Sequence, residues 1–136
     1  MKLVAKISAR LTGDKINLPA SMLNFILTQY AVEQGGILPH PLTFEIRRGG
    51  VSSELKSYGR VVEFTADINS IEISSFIANA LGIKDSDQSS NEVLVVKEIG
   101  LPKATLAVLT PLTANYLQIP DMRSLLTSFL RPHHAI

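Results

Sequence analysis

The chain has 136 residues, with 13 Lys and Arg against 12 Asp and Glu and a net charge of +1. That length fits one domain with a self-sufficient core, and the charge balance offers neither the basic footprint of a nucleic-acid binder nor a polybasic membrane patch. Cysteine is absent, which removes disulfides, thiolate metal sites and cysteine nucleophiles.

The opening stretch alternates Leu3, Ala5, Ile7, Ala9 and Leu11 with mostly polar residues, so residues 2–11 read as a strand with one buried face. Lys6 and Arg10 interrupt it, so it lacks the apolar core of a signal peptide. No later run approaches the length of a membrane span. These features make a cytoplasmic or nuclear location the expectation. Thr12, Gly13 and Asp14 form a turn, and Ile16 to Leu18 a short strand. Pro19 suits the first position of a helix, where its missing N–H is harmless. Met22, Leu23, Ile26, Leu27 and Tyr30 share one face of that helix, which Gly35 and Gly36 stop.

Leu42, Phe44 and Ile46 mark the next strand, and RRGGVSSELKS reads as a polar loop. Val61 to Phe64 returns as a strand, and Ile71 and Ile73 mark another. Ser74 is placed to cap a helix running through Leu81. KDSDQSSNE, residues 84–92, is a polar connection; Val93 to Ile99 and Ala104 to Leu109 read as the last strands. Met122, Leu125, Leu126, Phe129 and Leu130 line one face of a terminal helix, whose stripe must bury against something. The mean hydropathy of +0.21 fits either an efficient core or an apolar face that meets another domain.

Two segments repeat the same pattern: INLPASMLNFI from Ile16 and IEISSFIANAL from Ile71, offset by 55 residues. Each is a short apolar strand, a helix starter and a short apolar helix. A duplicated strand–turn–helix in an otherwise β chain predicts a pseudo-two-fold barrel. The expectation is a mainly β chain: a double-psi β-barrel over residues 1–120 with two short helices, then a terminal helix and tail over 121–136.

Enzyme signatures are missing. No Asp-Thr-Gly or Asp-Ser-Gly string, no Gly-Ser pair, no G-x-S-x-G elbow and no phosphate-cradling glycine loop occurs. Adjacent His133 and His134 do not face one another on a regular element, so they read as a solvated tail rather than a metal pair. His40, between Pro39 and Pro41, reads as a loop residue. Asp85 and Asp87 near Glu92 lack the glycine and final glutamate of a calcium loop. Phe25, Phe44, Phe64 and Phe76 read as core, and Glu33 and Glu63 fall in different elements, giving no carboxylate pair. Arg47 and Arg48 read either as a solubilising charged hairpin loop or as a pair that meets a carboxylate on a partner.

Four blocks, in order, resemble the N-terminal barrel of the ubiquitin-fusion degradation family, adaptors of the segregase ATPase valosin-containing protein. They are KINLPASMLNFI, PLTFEIRR, YGRVVEFTADINSIEISSFIANALGI and LPKATLAVLTPLTANYLQI. The chain departs from the family pattern at Thr110 before Pro111, at Gln118, and at the PDMRS helix start, as a divergent member would. The resemblance implies a non-catalytic binding module without cofactor or metal, working in ubiquitin-dependent protein turnover and endoplasmic-reticulum-associated degradation. Its implied partners are ubiquitin or polyubiquitin chains, with the segregase and its co-adaptor engaged through parts outside this chain, where a second subdomain would lie. Leu38, Arg47, Arg48 and Tyr58 are taken as loop residues on the contact rim. The alternatives are a scaffold domain that binds a co-adaptor without touching ubiquitin, and a small enzyme on the same barrel.

Overall fold

A computed structural model describes residues 1–33, 35, 37–50, 55–84 and 92–133. Six strands form a closed barrel: β1 (Lys2–Ile7), β2 (Lys15–Pro19), β3 (Thr43–Arg48), β4 (Lys56–Ala66), β5 (Ser70–Ile73) and β6 (Val93–Glu98). Helix α1 (Ala20–Glu33) follows β2, and α2 (Ser75–Ala80) follows β5. A 3-10 helix (Ala114–Gln118) and α3 (Met122–Leu130) come after the barrel.

Strand order around the barrel is β1-β5-β2-β4-β3-β6. Pairs β1–β5 and β2–β4 are parallel and the other four are antiparallel. Exchanging β1, β2 and β3 with β4, β5 and β6 maps this order and every strand direction onto itself. That is the double-psi β-barrel, and the 55-residue repeat is its sequence trace. The pseudo-axis passes near β2–β5, where Asn17 pairs with Glu72 and its Nδ2 donates to Glu72 Oε2 at 2.9 Å. Those two residues hold the same place in the two repeats.

The core is built from the inward positions of the strands, including Leu3, Ile16, Leu18, Phe44, Ile71 and Leu94, all nearly or wholly buried. Met22 and Ile26 of α1 and Ile77 and Ala78 of α2 join the same core. Ser74 caps α2 by accepting from the Ile77 N–H at 3.3 Å, and its hydroxyl donates to the Gly13 carbonyl.

Several elements differ from the sequence reading. β1 stops at Ile7 rather than Leu11. Pro19 is the last residue of β2, buried opposite Ala66, and the helix starts one residue later. Helix α1 is long, at 14 residues. The stop assigned to Gly35 and Gly36 falls partly outside the described residues, although Gly35 itself takes a φ of +65°. Arg47 and Arg48 belong to β3, and Lys56 to Tyr58 belong to β4, an 11-residue strand. Their polar character hid the hairpin because the inward positions of β4 are Ser57 and Gly59, both buried and neither apolar in the usual sense.

Ala104 to Leu109 is not a strand, and the chain from 101 to 113 lies along the surface without regular structure. A strand must hydrogen-bond to a neighbour, and in the closed barrel each of the six strands already has two. The alternation is present, but it has no edge to join. Leu106 and Leu112 are 80% and 98% exposed as a result. Among the described residues no helix is long and apolar enough to cross a membrane.

Candidate partner-binding site

Helix α1 follows from the spacing of Met22 and Ile26, which bury one stripe on the barrel. Phe25 lies one residue off that stripe and is 53% exposed. It stands beside a groove of about 620 Å³ between α1 and β6, a volume in the range of a ligand or side-chain pocket. Buried Ile26, Phe44 and Val96 form its floor, and Phe25, Tyr30 and Met1 rise around it. The Met1 amino group donates to the Val96 carbonyl at 2.8 Å, and the Val96 N–H donates to the Met1 carbonyl at 2.7 Å, so Met1 continues the β1–β6 ladder.

Polar groups at the groove are few and fixed. The Tyr30 hydroxyl donates to the Glu98 carboxylate, tying the helix to the strand. Lys97 and Gln29 complete the lining. The arrangement suits apolar side chains of a partner, with one carboxylate and one ammonium to orient them. It offers no nucleophile beside a base, and the described residues contain no cluster of three metal-ligating side chains.

The groove continues into the outer face of the β4–β3–β6 sheet. Glu45 lies between Tyr58 on β4 and Lys97 on β6; Arg47 lies between Lys56 and Val95. The register thus brings Arg47 and Tyr58 into one patch adjoining the groove. The Arg47 Nε donates to Glu45 Oε1 at 2.7 Å, and this bond holds the Glu45 carboxyl below its ordinary value. The Lys56 ammonium sits 5.7 Å from the Tyr58 ring centroid.

Arg48 is placed differently. Both its Nε and one terminal nitrogen bond the Glu92 carboxylate, and the other terminal nitrogen reaches the Gly82 carbonyl at 3.4 Å. It clasps the end of β3 to the chain ahead of β6 and to the turn after α2. Leu38 is half-buried and packs against the core from the loop before β3. His40, exposed, precedes a cis bond to Pro41. Asp85, Asp87 and His134 lie outside the described residues.

His133 is not a solvated residue. Its ring centroid lies 4.6 Å from that of Phe76 and 5.2 Å from that of Phe129, so it packs between α2 and α3. Gly13 makes room for it: a Cβ there would come within 3.1 Å of the imidazole and 3.0 Å of the Pro132 carbonyl. Phe25 and Phe76 are correspondingly not core residues; each keeps more than a third of its surface exposed. The signal for Phe25 was present in the sequence, because it falls outside the helical face that Met22, Ile26 and Tyr30 define.

The ring order and its two-fold exchange make this a symmetric double-psi barrel bearing an apolar groove between α1 and β6. Residues 2–102 match the family described as ubiquitin fusion degradation protein UFD1, N-terminal subdomain 1. The ubiquitin fusion degradation protein 1 homolog of Caenorhabditis elegans is 30% identical over 132 residues, which cover 97% of this chain and 34% of that protein. The chain belongs to the UFD1 family, as a divergent form of its N-terminal domain. It spans about a third of the length of that relative. The family match ends at 102, so the block from Leu101 to Ile119 falls almost wholly beyond it.

Proposed function

We propose that this barrel is a non-catalytic binding module of a ubiquitin-fusion degradation adaptor, and that it recognises ubiquitin or ubiquitylated substrates through the groove between α1 and β6. Family membership supports the adaptor role. The observation that carries the choice of surface is Phe25, a large apolar side chain left exposed beside a preformed apolar cleft. Ubiquitin presents a small apolar patch ringed by basic residues. The groove offers apolar walls, and Glu98 and Glu45 supply carboxylates at and beside its rim. Such a contact is weak on its own, and chains of ubiquitin strengthen it by multivalency. The segregase and its co-adaptor would be engaged by parts outside this chain, in the cytoplasm and nucleus.

The test is an NMR titration of the labelled chain with monoubiquitin and then with a polyubiquitin chain of the degradation-signalling linkage. Contiguous shifts at Phe25, Gln29, Val95 and Lys97 are expected. Phe25→Asp should weaken binding by about tenfold or more while leaving the spectrum folded, as loss of a central apolar anchor does. A flat response to both ligands would sink the reading.

The exposed apolar side chains after the barrel favour a second reading. Leu106, Val108, Leu112 and Leu117 are all largely uncovered. A scaffold domain that presents this face to a co-adaptor, without ubiquitin contact, would be recognised by a flat ubiquitin titration together with co-adaptor shifts confined to residues 106–117.

A further inference from the structure

A second concavity, of about 640 Å³, forms where α3 crosses β2 and β4. It shares no lining residue with the apolar groove. Four cations converge on it: Lys15 from β2, Arg60 from β4, Arg123 from α3 and Arg131, the residue that caps the C-terminus of α3. Lys15 and Arg60 are register partners in the parallel β2–β4 pair, so the barrel itself sets them side by side. Arg123 and Arg131 are separated by two four-residue steps, which places them on one stripe of α3.

Among the described residues no carboxylate lines this groove. Asp121 and Asp14, close in the chain to lining residues, lie outside the lining. The Asp121 carboxylate accepts from the Ser124 N–H and hydroxyl at 3.0 and 2.7 Å, capping α3. Asp14 is buried, and its carbonyl accepts the Arg60 N–H at 2.7 Å. Among the described residues the three ion pairs use Lys6, Arg47 and Arg48, and none uses a cation of this groove. The Arg60 Nε is screened from solvent and has no hydrogen-bond partner among the described residues. A charged donor in that state carries an uncompensated desolvation cost.

The hydroxyls contribute less. Ser124 and Thr127 donate within the helix, to Asp121 and to the Arg123 carbonyl. Recognition therefore rests on the cations, three of which are arginines with forked donors matched to planar carboxylates. Among the described residues no aromatic side chain lines the groove, and so none there offers a platform on which a nucleobase could stack. The net charge of +1 supplies no long-range field for a polyanion.

We propose that this groove binds a carboxylate-rich peptide segment of a protein partner. On the helix side, His133 packs on Phe76 and Phe129 and joins the end of α3 to α2.

The experiment is fluorescence polarisation with a labelled peptide of Asp and Glu spaced by Gly and Ser. The comparison is the same peptide with Asn and Gln, and a single-stranded oligonucleotide, at low and physiological salt. The unaltered chain should bind the acidic peptide about tenfold or more tightly than its amide counterpart, and added salt should weaken that binding. The Arg123→Glu, Arg131→Glu double variant, changed at two exposed helix positions, should lose it. Arg60→Gln should weaken it, and Lys84→Glu, outside the groove, should not. Equal binding of the two peptides, an equal loss in Lys84→Glu, or tighter binding of the oligonucleotide would each overturn the proposal. The peptide comparison uses the unaltered chain, so it decides the matter even where a variant does not fold.

Discussion

Gly59 shows how one missing atom shapes the barrel. A Cβ at this position would lie 2.7 Å from Ile16 Cγ2 and 3.1 Å from Ile46 Cδ1, both wholly buried. The barrel interior is filled at that height by the two isoleucines, and β4 contributes only backbone. Gly59→Ala is therefore an overpacking change and should destabilise the chain by about 1–3 kcal/mol, read as a lower urea midpoint with unchanged slope. An unaltered midpoint would mean that Ile16 and Ile46 move aside freely. The same residue explains why β4 was hard to see in the sequence: Ser57 and Gly59 carry no apolar period, and the space around Gly59 is filled by Ile16, 43 residues earlier in the chain, and by Ile46. Arg47 and Tyr58, by contrast, were visible as polar residues near a hairpin, but their meeting on one outer face depends on register.

At the scale of elements, α3 is the instructive case. Its apolar stripe at Met122, Leu126 and Leu130 is half-buried, while Leu125 and Phe129 remain largely exposed and none of its residues is fully buried. Tertiary burial holds it weakly, so its N-cap matters more than usual. Bonds from the Ser124 hydroxyl and N–H keep the Asp121 carboxyl below its ordinary value. A carboxyl depressed in the folded state stabilises only when ionised. Its contribution is complete above the usual carboxylate range of about 4 and is lost as pH falls through the lower folded value. Acidification below about pH 4 should thus fray the first turn of α3, seen as loss of the Ser124 amide shift. Asp121→Asn, which keeps an acceptor but does not titrate, should abolish that pH dependence. Helix α1 teaches the converse lesson. Its existence was legible from Met22, Ile26 and Tyr30, yet which apolar residues it leaves uncovered, Phe25 among them, follows from how it lies on β2 and β4.

For the whole molecule, stability is concentrated in the symmetric barrel. The slowest amide hydrogen exchange is expected at the β2–β5 and β2–β4 pairs, where Ile16, Leu18, Ile71 and Ile73 are fully buried. Residues 101–113, unpaired and exposed, should exchange rapidly. Protection of 104–109 comparable to that of β6 would show that this stretch does join a sheet. The sequence by itself determined the repeat, the strand–helix units within it, the Ser74 cap and the absence of familiar enzyme signatures, because these rest on local spacing and residue type. From the repeat alone it also pointed to a two-fold barrel. Only the tertiary structure decided that six strands close the ring and leave Ala104–Leu109 without a partner. It alone brought four cations from two strands, α3 and the cap of α3 into one groove, and packed His133 against two phenylalanines. These are meetings between residues far apart in the chain. They depend on ring closure, strand register and the path of the chain after β6, which local periodicity does not encode.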